Sequence, residues 1–150
     1  MTALKSFKIN GNFRMHRAGH LKSPTIAYET WGKLNAAKNN AILIFSGLSP
    51  SAHAASSKND TSTGWWEDMI GSNLPLDVDK YFIISVNSLG SCFGSTGPAS
   101  IDPDTGDRYR LNFPSLTIED IAESAHLLIQ DLGIKSLHTV IGCSMGGMSG

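Results

Sequence analysis

Leu137-His138-Thr139-Val140-Ile141-Gly142-Cys143-Ser144-Met145-Gly146-Gly147-Met148-Ser149-Gly150 closes the sequence and decides how the rest is read. Its first five residues are short, mostly apolar and β-branched, the pattern of a buried strand. The small residues after Ser144 suit the start of a helix. Between strand and helix lies Gly-x-Ser-x-Gly, and a serine at such a turn is forced outward. Glycine is needed on either side because a side chain at Gly142 or Gly146 would collide with the neighbouring strand or helix. This geometry presents Ser144 as a nucleophile. The bare pattern also arises as a glycine-rich turn without chemistry, and the strand in front of it favours the functional reading.

Working outward, residues 41–45, Ala-Ile-Leu-Ile-Phe, form a continuous apolar run and read as a strand buried on both faces. The run empties into a loop of small residues, 46–53, followed by a polar stretch, 56–63. Residues 81–86 read as the next buried strand, leaving into a glycine-containing loop, 87–98. That loop has neither Gly-x-Gly-x-x-Gly nor a Gly-Lys-Ser ending, so tight turns explain it better than a phosphate cradle. Residues 117–132 are the clearest helix, with Ile118, Ile121, Ala122, Ala125, Leu128, Ile129 and Leu132 on one face. Thr117 and Asp120 make a capping box and Gly133 supplies the stop. Near the N-terminus, residues 7–9 and 25–30 read as an antiparallel hairpin turning around 14–19. Residues 65–70 read as a short helical turn whose paired tryptophans, Trp65 and Trp66, serve as wall and core.

The alternation of strand, loop, strand, helix, strand and serine turn argues for an α/β fold, a mostly parallel sheet with helices on both faces. Ligands bind beyond the carboxyl ends of such strands. The loops after Phe45 and Val86 and the serine turn should therefore meet around one pocket.

Bulk composition narrows the function. The chain has 150 residues, 41% hydrophobic and 17% charged, and a formal charge of −1. That is the length of one globular domain, with nothing that draws the whole surface to nucleic acid or an anionic membrane. The longest apolar runs are too short to span a bilayer, and residues 1–10 have no signal-peptide core, so a cytoplasmic setting is expected. Cys92 and Cys143, without metal-type spacing, are expected to be reduced, and no metal site is expected. The sequence stops one turn into the helix that the serine opens. We therefore expect residues 1–150 to be the N-terminal part of one domain.

A serine hydroxyl needs a base, normally a histidine held by a carboxylate. Of His16, His20, His53, His126 and His138, the first two sit near the opening hairpin, His126 on a solvated helix face, and His138 on a strand against helix packing. Only His53 lies in a pocket loop. In the Gly-x-Ser-x-Gly architecture the acid and the histidine follow the serine, so both are expected beyond Gly150. The oxyanion site is expected within the chain: the N–H of Met145 as one donor, and the N–H of Leu48 as the other, since Ser46 and Gly47 let the backbone turn inward. The chemistry is acyl transfer through a serine ester.

Tyr28-Glu29-Thr30-Trp31-Gly32-Lys33-Leu34-Asn35, Gly64-Trp65-Trp66, Gly94-Ser95-Thr96-Gly97-Pro98 and Gly142-Cys143-Ser144-Met145-Gly146-Gly147-Met148, in this order, resemble the homoserine O-acetyltransferase family of α/β-hydrolase-fold enzymes. The resemblance covers nearly the whole chain. It implies that Ser144 takes an acyl group from an acyl-coenzyme A and passes it to the side-chain hydroxyl of an amino acid, with no bound cofactor and a homodimeric assembly. It also implies a C-terminal part and a lid beyond residue 150. The acetylating homoserine enzymes usually carry His-Ala-Leu-Thr-Gly in the oxyanion loop, whereas this chain has Ser46-Gly47-Leu48-Ser49-Pro50-Ser51-Ala52-His53. That form, with Asn87-Ser88-Leu89-Gly90-Ser91-Cys92 downstream, is similar to the serine O-succinyltransferase branch. Gly47, Ser49 and Pro50 become the specificity loop. The implied substrates are succinyl- or acetyl-coenzyme A with L-serine or L-homoserine, in cysteine or methionine biosynthesis. A succinyl donor needs an Arg or Lys for its second carboxylate, and the sequence places no convincing one in the pocket. A serine hydrolase using the same Ser144, and a binding module without activity, remain as alternatives.

Overall fold

Backbone pairing sorts the strands of this computed structural model into one main sheet and two small ones. In chain order they are β1 (Lys5–Lys8), β2 (Asn12–Arg14), β3 (His20–Lys22), β4 (Thr25–Trp31), β5 (Ala41–Phe45), β6 (Ile70–Gly71), β7 (Leu76–Asp77), β8 (Phe82–Val86) and β9 (Leu137–Gly142), with helices α1 (Ile118–Asp131) and α2 (Gly146–Ser149). The structure describes residues 3–150, so the first two residues of the stretch inspected for a leader lie outside the described residues.

The main sheet has the order β1-β4-β8-β5-β9. β5 pairs in parallel with both β8 and β9, while β4 runs antiparallel to β1 and β8. All five residues of β5 are buried, as its unbroken apolar run requires: it has strands on both edges and side chains packed on both faces. Phe45 is in register with Val86 on one side and Gly142 on the other. The three strands therefore end level, which brings the three loops that leave them to one edge of the sheet.

One face of the sheet is covered by α1. Ile121, Ala125, Leu128 and Ile129 pack with Leu43, Phe45, Ile84 and Val86 in a single core, burial worth roughly 1.5–3 kcal/mol for each large side chain. The capping box forms as the sequence indicates: Asp120 N–H donates to Thr117 Oγ1, and Thr117 N–H donates to Asp120 Oδ2. Gly133, at φ +67°, ends the helix.

The other face is closed differently within this stretch of chain. Among the described residues it is closed by an irregular segment with a 3-10 turn at Glu67–Met69 and the small β6–β7 sheet. Trp31, Ile42, Ile44, Ala54 and Ile83 form the core there, with Trp65 and Trp66 packed against it and stacked on each other at 5.1 Å. The tryptophans are wall and core, as read from the sequence.

Two other expectations are corrected. The opening hairpin of β1 and β4 is interrupted by a second hairpin, β2–β3, whose turn occupies the place read as a simple connection. β9 alternates between half-buried and exposed instead of being buried throughout, since among the described residues it is an edge strand with β5 on only one side. His138 consequently lies on an exposed face, with its ring 4.8 Å from that of Tyr81, and does not enter helix packing.

Candidate active site

The serine turn is built by steric necessity. A Cβ at Gly142 would stand 2.3 Å from the Gly146 carbonyl oxygen, and one at Gly146 would stand 2.3 Å from the carbonyl oxygen of Phe45. Both distances are shorter than any real contact, so only glycine lets α2 begin this close to the end of β5. Ser144 between them has φ +55°, a left-handed conformation that costs a non-glycine residue about 1–2 kcal/mol. The serine is exposed, and among the described residues its hydroxyl has no hydrogen-bond partner.

The loop after β5 lies against this turn. A Cβ on Gly47 would be 3.7 Å from Ser144 Cβ and 3.6 Å from the Cys143 carbonyl oxygen. Among the described residues, the N–H groups of Leu48 and Met145 donate no hydrogen bond to the protein. A cavity of about 140 Å³ forms where the loops converge, lined by Gly47, Leu48 and Pro50 from the loop after β5, by Ser88–Ser91 from the loop after β8, and by Met145. The expected meeting of three loops is therefore present. Ser49 is exposed and outside the cavity wall, and the Leu48 side chain is 79% exposed.

His53 makes no hydrogen bond to Ser144; its ring is engaged elsewhere. Its Nδ1 donates to Glu29 Oε2 at 3.0 Å and its Nε2 to the Ser62 carbonyl oxygen at 2.9 Å. Both partners are acceptors, an arrangement that favours the doubly protonated ring. Burial opposes that charge, but the Ser62 carbonyl and then the Glu29 carboxylate outweigh it, and the pKa lies above the ordinary histidine value. Glu29 is 4% exposed, so the pair is largely withdrawn from water. Around it Glu67 accepts from the N–H groups of Ser56 and Gly64, each at 2.8 Å, and from the Ser56 hydroxyl. The Ser56 hydroxyl, then the two N–H groups, hold its pKa below the usual carboxylate range. Trp65 Nε1 donates to the Ser51 carbonyl at 2.9 Å. The 51–56 segment is thus fastened from behind, which leaves 47–50 as a short span beside the serine.

Residues that sequence reasoning set aside also reach the site. The turn between β2 and β3 is tied to α1 by His16 N–H donating to Asp120 Oδ1 at 2.8 Å. As a result His16 and Arg17 line a second cavity, of about 580 Å³, together with Glu119 and Met145. The cavity where the three loops meet has no Arg or Lys in its wall, and Arg17 stands in the neighbouring one, placed there by a long-range contact that no local pattern marks. No histidine or carboxylate hydrogen-bonds Ser144 among the described residues, and no three His, Cys, Asp or Glu side chains gather as a metal group there. No helix among them is long and apolar enough to cross a membrane.

A family model described as the alpha/beta hydrolase fold matches residues 40–150. The chain is 58% identical over 146 residues to a protein of Litchfieldella anticariensis named serine O-succinyltransferase, covering 97% of this chain and 40% of that one. It is 55% identical to an L-serine/homoserine O-acetyltransferase of Streptomyces lavendulae, covering 98% and 39%. Among solved structures, an esterase superposes with a TM-score of 0.89 at 38% identity, covering 99% of this chain and 42% of the esterase. A homoserine O-acetyltransferase from Bacillus anthracis superposes with 0.86 at 35% identity, covering 99% and 42%. The chain thus spans about two fifths of the length of the relatives it matches.

Proposed function

From the premise that this chain belongs to the alpha/beta hydrolase fold family, we propose that the whole protein is an amino-acid O-acyltransferase acting through an ester on Ser144. The observation that carries the chemistry is the strained, outward Ser144, with the free N–H groups of Met145 and Leu48 at the same edge of the sheet. The relatives named for serine and homoserine acylation support the choice of acceptor.

In this reading Ser144 Oγ attacks the thioester carbonyl of an acyl-coenzyme A and gives its proton to a histidine beyond Gly150, itself held by an acid further along. The carbonyl oxygen becomes anionic and is received by the two N–H groups, each donor worth roughly 3 kcal/mol in such a site. Collapse expels coenzyme A, which leaves with the proton. The side-chain hydroxyl of L-serine then attacks the Ser144 ester by the reverse steps, releasing an O-acyl amino acid and restoring the serine. Succinyl is the favoured acyl group; homoserine O-acetylation or O-succinylation is the near variant. Gly47, Ser49 and Pro50 are proposed to shape the room for acyl group and acceptor. A cytoplasmic homodimer in cysteine or methionine biosynthesis, without bound cofactor and without nucleic-acid or membrane partners, completes the proposal.

The similarity to an esterase favours one second reading, in which water accepts the acyl group from the same Ser144. Full-length protein incubated with succinyl- or acetyl-coenzyme A, with and without L-serine or L-homoserine, separates the two. Acceptor-dependent release of coenzyme A with formation of an O-acyl amino acid is the expected result. Release at the same rate without acceptor, and no O-acyl product, would sink the transferase reading.

A further inference from the structure

The two cavities beside the serine turn share a wall. Leu116, Ile121 and Met145 line both, so a depression runs from the residue after Ser144 to the turn between β2 and β3. Its character changes along the way. The part nearest the serine is bounded by Leu89, Leu116 and Ile121, and the far part by His16, Arg17 and Glu119. Arg17 is the only lysine or arginine in either wall, and among the described residues its guanidinium has no hydrogen bond or ion pair. The backbone beneath it is fixed, because the His16 N–H is bonded to Asp120, which is wholly buried in the first turn of α1. The turn is thus held over the depression while the arginine side chain stays exposed.

We propose that Arg17 receives the distal carboxylate of a dicarboxylic acyl group carried on Ser144, which makes this end of the depression a subsite for succinyl-type donors; the inference rests on the acyltransferase reading above. With the ester carbonyl at the N–H groups of Met145 and Leu48, the methylene carbons follow the Leu116 and Ile121 walls and the free carboxylate meets the guanidinium. A planar fork of N–H donors matches a carboxylate bidentately and selects it over an uncharged end. An acetyl group has nothing to present there. Glu119 lines the same cavity and opposes the second carboxylate, so Arg17 and Glu119 pull donor preference in opposite directions.

The test uses the full-length enzyme and follows coenzyme A release from succinyl- and acetyl-coenzyme A at saturating L-serine, in the native protein and in Arg17→Gln and Glu119→Gln. Arg17→Gln should lower kcat/KM for the succinyl donor about tenfold while leaving the acetyl donor unchanged. Glu119→Gln should shift preference toward succinyl. The acetyl rate also reports whether the variants are folded. An equal fall for both donors, no change for either, or a native enzyme that uses acetyl-coenzyme A alone would overturn the subsite and leave the transferase standing. A native protein that acylates no amino acid from either donor removes both.

Discussion

The serine turn and the loop after β5 face each other across the same cavity, yet they are held in place by opposite means. The turn is fixed by volume: at Gly142 and Gly146 backbone meets backbone where no Cβ fits, and Ser144 accepts a left-handed φ. The loop is fixed by polar partners from behind, through the His53–Glu29 ion pair, Glu67 and the Trp65 indole. One wall is intolerant of added atoms and indifferent to pH. The other tolerates volume but depends on charges and on every donor keeping its acceptor.

Four changes would break or sharpen that contrast. Ser144→Ala removes the reacting atom without touching either restraint, so full-length protein should lose at least about a thousandfold in acyl transfer with an unchanged melting temperature; retained activity would take Ser144 out of the mechanism. Gly146→Ala adds a single methyl group against the Phe45 carbonyl and should cost about 3 kcal/mol in unfolding experiments, at every pH. A near-neutral result would mean that the turn is held by something other than volume.

His53→Gln tests the other wall. Because the folded pKa of His53 is raised, its charge contributes fully below the ordinary value of 6.5 and its contribution fades as pH rises through the folded pKa. The gap in melting temperature between native and variant should therefore be widest in acid and narrow with rising pH. A gap that widens toward alkaline pH would reverse the assigned sign. The smallest effect belongs to a pair outside both walls: Asp104→Asn breaks the exposed ion pair with Lys22 and should leave melting and activity within error, since exposed pairs contribute little.

The same contrast explains what could be read from residues alone. The β5 run, the capping box at Thr117 and the glycines at the serine turn were readable because each follows a local rule: period, cap chemistry or steric need. The second face of the sheet was not, because Trp65, Glu67 and His53 are placed by side-chain-to-backbone bonds that have no period. Arg17 was missed for a related reason. Its position depends on one backbone N–H, that of His16, reaching a carboxylate 104 residues away. The alternation in β9 escaped notice because a short apolar segment reads the same whether one or both of its faces are covered.

The central place of β5 has a consequence for how the chain is made. An Ala-Ile-Leu-Ile-Phe strand that needs parallel neighbours on both edges leaves the ribosome well before β8 and long before β9. Until they arrive its two edges and both faces are open, the composition and geometry that favour pairing with other chains. The strand on which the three site loops converge is thus the segment most in need of shelter during synthesis.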